Sequence, residues 1–231
     1  MDPQVNRPDE TCERCGACAD TCPAEARQRA GRTMCVEEVV AEVGRDRAYY
    51  AESGGGVTFS GGEPLTAINA GFTLQALNEC RRAGLHAAVD TCGHVSREAL
   101  LEAGIRADLI LYDLKVMDTD RHRAVTGVGN DRILQNLQAL SQAGADIRVR
   151  VPLIPGLTDG ADNLEAIARF VNALPGRHPI HLLPYHGTAR DKYGRLGKTY
   201  GLDELIPPDD AAVAVAVGQV RAFGSEVFVG G

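Results

Sequence analysis

The feature that most constrains this chain is a rhythm: short β-favouring runs alternate with longer stretches of helical periodicity from about residue 35 to the end. Val57-Thr58-Phe59, Leu85 to Asp90, Leu109 to Asp113, Ile147 to Val151, Ile180 to Leu183 and Glu226 to Val229 read as strands. Between them, Phe72, Leu74, Leu77 and Cys80 mark one amphipathic helix ending at Gly84, and further helices are predicted near 96–103, 131–143 and 162–173. Val36, Val39, Val40 and Val43 form a stripe opposite Glu37, Glu38 and Glu42, predicting a helix over 35–50. Pro207-Pro208-Asp209-Asp210 ahead of the Ala/Val run at 211–217 predicts a last helix. Strands and helices in this order imply an α/β fold with a parallel sheet and right-handed crossovers.

Each predicted strand runs into polar or glycine-bearing residues. Gly54-Gly55-Gly56 precedes Val57–Phe59, and Ser60-Gly61-Gly62-Glu63-Pro64 follows it. Gly61 and Gly62 can adopt backbone angles closed to other residues and let a ligand approach the main chain. Glu63 adds a fixed negative charge that suits a cation such as an ammonium. A glycine-rich turn with a solvated glutamate is the alternative. Asp90, Asp113, Lys115, Arg150 and His186 stand at successive carboxyl ends, the edge where α/β proteins gather ligand groups. Singly, each has a structural explanation as a cap, a surface lysine or a loop histidine; five in strand order are hard to reach that way.

Four of the seven cysteines lie in Cys12-x2-Cys15-x2-Cys18-x3-Cys22-Pro23, the spacing of a bacterial ferredoxin run. Thiolates so spaced suit a 4Fe-4S cluster, whereas zinc favours two separated Cys-x2-Cys pairs. In two-cluster ferredoxins the last cysteine of a run serves the other cluster, and only one run occurs here. Cys35 could supply a fourth ligand, but an inert buried thiol is its expected role. A formal net charge of −7 argues against a nucleic-acid binder, and 44% hydrophobic residues suffice for a sizeable core. No apolar stretch approaches the ~18 residues of a membrane span, and residues 1–10 resemble neither signal nor transit peptide. The expected location is the cytoplasm.

Ser60-Gly61-Gly62-Glu63-Pro64 after a strand, with the cysteine run upstream, resembles the activating enzymes of glycyl-radical enzymes, a radical S-adenosylmethionine (SAM) family typified by pyruvate formate-lyase activase. The resemblance covers Cys12 to about Tyr200. It implies that Gly61, Gly62 and Glu63 hold the SAM amino group. Asp90-Thr91-x-Gly93 and Asp113-Leu114-Lys115 resemble the family's SAM-pocket and cation-site motifs, with a monovalent cation near Asp90 and Asp113. Arg150, ahead of Pro155-Gly156, resembles its SAM-binding arginine, and Pro184-Tyr185-His186 the segment lining the adenosine pocket. His122, Thr126-Gly127 and Asn130 fit a family-like stretch without an assigned role.

By the same resemblance, a reduced 4Fe-4S cluster cleaves SAM and a glycine of a large partner enzyme loses a hydrogen, with flavodoxin or ferredoxin as electron donor. The fold implied is a partial (β/α)6 barrel of radical SAM type lacking its first strand. Residues 1–32 would form a partial ferredoxin-type 4Fe-4S segment holding Cys12, Cys15, Cys18 and Cys22, and residues 33–231 the barrel. The family's Cys-x3-Cys-x2-Cys spacing, which ligates the SAM-cleaving cluster, does not occur in the sequence, so no catalytic cysteine is assigned. Cys35 and Cys92 stand where threonine and serine are more typical. The alternative is a non-catalytic relative that binds SAM, a partner or one cluster; a (β/α) metabolic enzyme with a zinc knuckle is a third reading.

Overall fold

The computed structural model describes residues 13, 15–28, 31–188, 193–194, 199–202 and 204–230. Cys12 lies outside the described residues. The chain divides into two compact units: residues 1–34 with 186–206, and residues 35–185 with 207–231.

The first unit includes a short helix, α1 (Ala17–Asp20), entered through Gly16 in the left-handed region.

The second unit is a six-stranded parallel sheet with its helices. β1 (Val57–Phe59), β2 (Ala87–Thr91), β3 (Leu109–Asp113), β4 (Ile147–Leu153), β5 (Ile180–Pro184) and β6 (Val227–Val229) lie side by side in chain order. A doubly wound sheet reverses its strand order at one point; this one never does, so it is wound in one sense like a barrel cut open. β1 and β6 are its two edges, and the sheet is not closed.

Period-two alternation decides which face the helices cover. Val89, Ile110, Tyr112, Val149, Val151, Ile180 and Leu182 are buried in the main core. Their neighbours Asp90, Leu111, Asp113, Arg150, His181 and Leu183 point the other way and stay half-buried. Covering the apolar face are α4 (Ala70–Arg82), α5 (Arg97–Arg106), α7 (Asp131–Gln142), α8 (Ala161–Asn172) and α9 (Asp210–Arg221). They contribute Leu77, Leu100, Leu137, Leu140, Leu164, Ile167 and Val220, each fully buried. Ser96 and Asp209 cap α5 and α9 through their side chains.

Three local expectations change. The stretch expected as one helix over 35–50 is α2 (Val36–Val43), a 3-10 turn at Gly44–Asp46, and α3 (Arg47–Ser53). Gly44 sits where an unbroken helix would need a better helix former. A helix not expected from periodicity, α6 (Thr119–Thr126), is set by end signals: Asp118 Oδ1 accepts from Arg121 N at 2.8 Å, and Gly127 closes it at φ 85°. Cys35, expected as a buried thiol, is exposed. It caps α2, with Glu38 accepting from its amide at 2.7 Å. A capping position lies outside the first turn and has no core to enter.

Candidate functional site

β1 delivers the first part of the site. Its exit is tied down on three sides: Asn69 Nδ2 donates to Glu63 O at 3.1 Å, Thr73 Oγ1 to Pro64 O at 2.8 Å, and Ser60 Oγ to Asp90 Oδ2 at 3.0 Å. Gly61 takes φ 131°, and both Gly61 and Gly62 are exposed. A Cβ at either would meet nothing within 4 Å, so conformation and bare main chain, not tight packing, are what glycine contributes here.

Glu63 is gripped by the strand next door. Its Oε1 accepts from Thr91 Oγ1 at 2.8 Å and from Leu65 N at 3.3 Å, and its Oε2 accepts from Cys92 N at 3.0 Å. Every one of these donors is neutral. Among the described residues no cation pairs with Glu63, so a half-buried carboxylate without a counter-ion is held in a fixed orientation. Burial, with the Glu63 carboxylate adding to it, pushes the Cys92 thiol up, which keeps that side chain neutral beside the acid.

The other ionisable groups compensate one another. On β4, Arg150 donates from Nε and Nη2 to Asp113 Oδ1 at 3.0 and 2.8 Å, and reaches across β3 from Nη2 to Asp90 Oδ1. Lys115 Nζ stands 3.4 Å from Asp113 Oδ2. Two acids and two bases make a neutral quartet, about one-fifth exposed at Arg150, Asp90 and Asp113. Arg150, anticipated as a ligand for a carboxylate or ribose, is the counter-ion of two aspartates in this structure, with Nη1 left over. Of the five charged groups at the ends of β1 to β4, Glu63 alone is unbalanced.

The β2 exit depends on its own packing. Gly93 takes φ 71°, and a Cβ there would lie 1.7 Å from Tyr112 Oη. Tyr112 is held in turn, donating to Ile133 O on α7 at 2.7 Å, and burial holds its phenol well above the usual tyrosine range. Gly93 N donates to Thr91 Oγ1 at 3.0 Å, and Asn136 Nδ2 donates to Gly93 O and Val95 O at 2.9 and 3.1 Å. Asn136 was not among the expected site residues. The signal for it is a polar residue inside the apolar stripe Ile133, Leu137, Leu140.

His122 and Asn130 are buried supports. His122 Nδ1 lies 2.7 Å from Val128 O, and Asn130 Nδ2 donates to Val116 O and Met117 O beyond Lys115. Asn163 Nδ2 donates to Lys115 O at 2.9 Å.

His186 belongs to the first unit, where it is exposed with Nδ1 2.7 Å from Thr188 Oγ1. Cys15, Cys18 and Cys22 are free thiols of the same unit. A backbone amide bond from Arg27, outweighing burial and joined by the amides of Ala26 and Ala24, pulls Cys22 below the ordinary thiol range. Among the described residues, no three His, Cys, Asp or Glu side chains converge as a metal site. No described helix is long and apolar enough to cross a membrane.

A one-way, open parallel sheet with an unbalanced carboxylate and a glycine-rich exit at its carboxyl edge places the chain among α/β proteins of the barrel-like, singly wound kind. The Radical SAM superfamily profile matches residues 12–171. The chain is 40% identical to the trans-4-hydroxy-L-proline dehydratase activating enzyme of Clostridioides difficile, over 90% of this chain and 78% of that protein. It is 36% identical to the pyruvate formate-lyase 2-activating enzyme of Escherichia coli, over 99% of this chain and 78% of that one. A crystal structure of a domain of pyruvate-formate lyase-activating enzyme from Bacteroides vulgatus superimposes with a TM-score of 0.64 at 33% identity, covering 77% of this chain and 99% of that one. The chain belongs to the radical SAM superfamily, among the activating enzymes of glycyl-radical enzymes.

Membership implies SAM and a 4Fe-4S cluster. The second unit fits SAM: a fixed, uncompensated carboxylate meets an ammonium, beside exposed glycine backbone. The described cysteines of the first unit are free thiols that do not converge on a cluster site.

Proposed function

We propose that the carboxyl edge of β1 to β4 binds SAM with its ammonium on Glu63, and that the chain thereby activates a glycyl-radical enzyme. The observation that supports this most is the isolation of the Glu63 charge among neutral donors. A carboxylate pre-oriented by Thr91 and Cys92 forms a charge-assisted bond without reorganising. Gly61 and Gly62 leave room for the rest of the amino-acid moiety. Arg150 Nη1 and Lys115 face its carboxylate, with Asp90 and Asp113 holding both bases in place. A monovalent cation near Asp90 and Asp113 would share oxygens that Arg150, Lys115 and Ser60 already occupy. His186 is assigned to the adenosine.

On this assignment a 4Fe-4S cluster would supply the electron for reductive cleavage of SAM, and what Glu63, Gly61 and Gly62 contribute is to bind and orient SAM for loss of a hydrogen from a partner glycine. In this reading Cys12, Cys15, Cys18 and Cys22 belong to a ferredoxin-type segment at residues 1–32, barrel residues 33–231 carry the SAM site, and flavodoxin or ferredoxin supplies the electron. Calorimetric titration of the full chain with SAM tests the site. Removing the charge in Glu63→Gln is expected to weaken binding about 10- to 100-fold, the range of a charge-assisted bond. Equal affinity in the variant would overturn the assignment.

A further inference from the structure

We propose that Asn136 is the positioning residue for Glu63, acting through the exit of β2. This inference rests on SAM binding at Glu63. Asn136 is 1% exposed in the middle of α7, on the same stripe as Ile133, Leu137 and Leu140. Asparagine is a weaker helix former than leucine, and burying its amide costs free energy unless the amide is bonded. The helix itself therefore gains nothing from it. Its two Nδ2 protons go instead to Gly93 O and Val95 O. Those carbonyls flank the turn whose other atoms hold the acid: Thr91 Oγ1 accepts from Gly93 N and donates to Glu63 Oε1, while Cys92 N donates to Glu63 Oε2.

The path from α7 to the carboxylate thus runs through hydrogen bonds on either side of the Gly93 backbone, which links them covalently, and Thr91, at 1% exposure, has no alternative partner in water. Tyr112 lies close against Gly93 from the other side, leaving no room for a Cβ there. Without the Asn136 amide, two buried carbonyls lose their donor and the turn is free to shift. Both donors on Glu63 then move with it. The acid keeps its charge and loses its aim.

The test uses the full chain with Asn136→Ala, and Asn172→Ala as a control that removes two side-chain bonds outside the site, one to Phe223 O and one from Ser225 Oγ. Amide hydrogen exchange without ligand is expected to quicken at least about tenfold at Cys92 and Gly93 in Asn136→Ala, as the two bonds to Gly93 O and Val95 O are lost, and to stay unchanged there in the control. SAM affinity is expected to fall about fivefold in Asn136→Ala, and to fall little further when Asn136→Ala is added to Thr91→Val, since the two act on one path. Unchanged exchange at Cys92 and Gly93, or an equal loss of affinity in the Thr91→Val background, would overturn the inference. No SAM binding by the unaltered chain would instead overturn the SAM reading, while the exchange data still decide whether Asn136 holds the turn.

Discussion

Asp113 and Arg150 stand directly opposite each other on neighbouring parallel strands, and the arginine holds one carboxylate oxygen from two nitrogens at 3.0 and 2.8 Å. The same guanidinium reaches Asp90 on the strand beyond. Removing it leaves two half-buried carboxylates facing each other with only Lys115 nearby. Breaking a fully buried pair costs about 3–5 kcal/mol, and exposure of roughly one-fifth lowers this, so Arg150→Ala is expected to cost about 2 kcal/mol in urea unfolding. Asp90→Asn with Arg150 intact is expected to cost less than half of that. Equal losses would mean that the arginine does not bridge the two acids.

Gly93 leaves no room for a methyl group. A Cβ there meets Tyr112 Oη at 1.7 Å and Cζ at 2.2 Å, in a left-handed backbone conformation. Strain and overpacking together predict a loss of about 3 kcal/mol for Gly93→Ala. Because Cζ is as much in the way as the hydroxyl, Tyr112→Phe in the same chain should not restore the melting temperature. Recovery by Tyr112→Phe would show that the hydroxyl alone is the obstacle.

The thiols should separate by reactivity. Cys22 is lowered by the Arg27 amide, whereas burial raises Cys92 and Cys80. A lower value means more thiolate near neutral pH, so pulsed alkylation of the folded chain freed of metal, followed by mass spectrometry, should label Cys22 well before Cys92 or Cys80. The buried pair also carries a pH dependence. Their folded values lie above the unfolded value of ~8.5, so their contribution to stability is complete below that pH and is lost as pH rises through the folded values. A stability curve flat from neutral to strongly alkaline pH would contradict this.

Cys35 caps α2 with sulfur where oxygen accepts hydrogen bonds better. Its backbone is already extended, at φ −80° and ψ 170°, and Glu38 completes the reciprocal bond. Cys35→Thr is expected to raise stability by about 0.5 kcal/mol in urea unfolding. A lower midpoint would mean that the thiol does something other than cap.

Much of this architecture was legible because its signals are local. The β-favouring runs, the amphipathic stripe that ends at Gly84 and the Pro207–Asp210 helix start announce themselves within a few residues. Glu63 was legible as a charge beside bare backbone. The role of Arg150 as counter-ion was not, since Asp90 lies sixty residues away and only strand register brings the two together. Asn136 was hidden for the opposite reason: its stripe reads as an ordinary core face, and one amide in it looks like tolerated polarity. α6 escaped because its apolar content is low and its ends, Asp118 and Gly127, carry the whole signal.

The separation of the two faces of the sheet has a consequence for how such a chain diverges. Odd and even positions along β2, β3 and β4 answer to different demands: one set must fit the helices, the other meets the ligand edge. Substitutions in the second set can accumulate without loosening the first, because neighbouring side chains on a strand never share a surface. A lineage can therefore change what it recognises while inheriting its scaffold intact. A single-residue insertion within a strand is the change it cannot absorb, since that exchanges the two sets at a stroke.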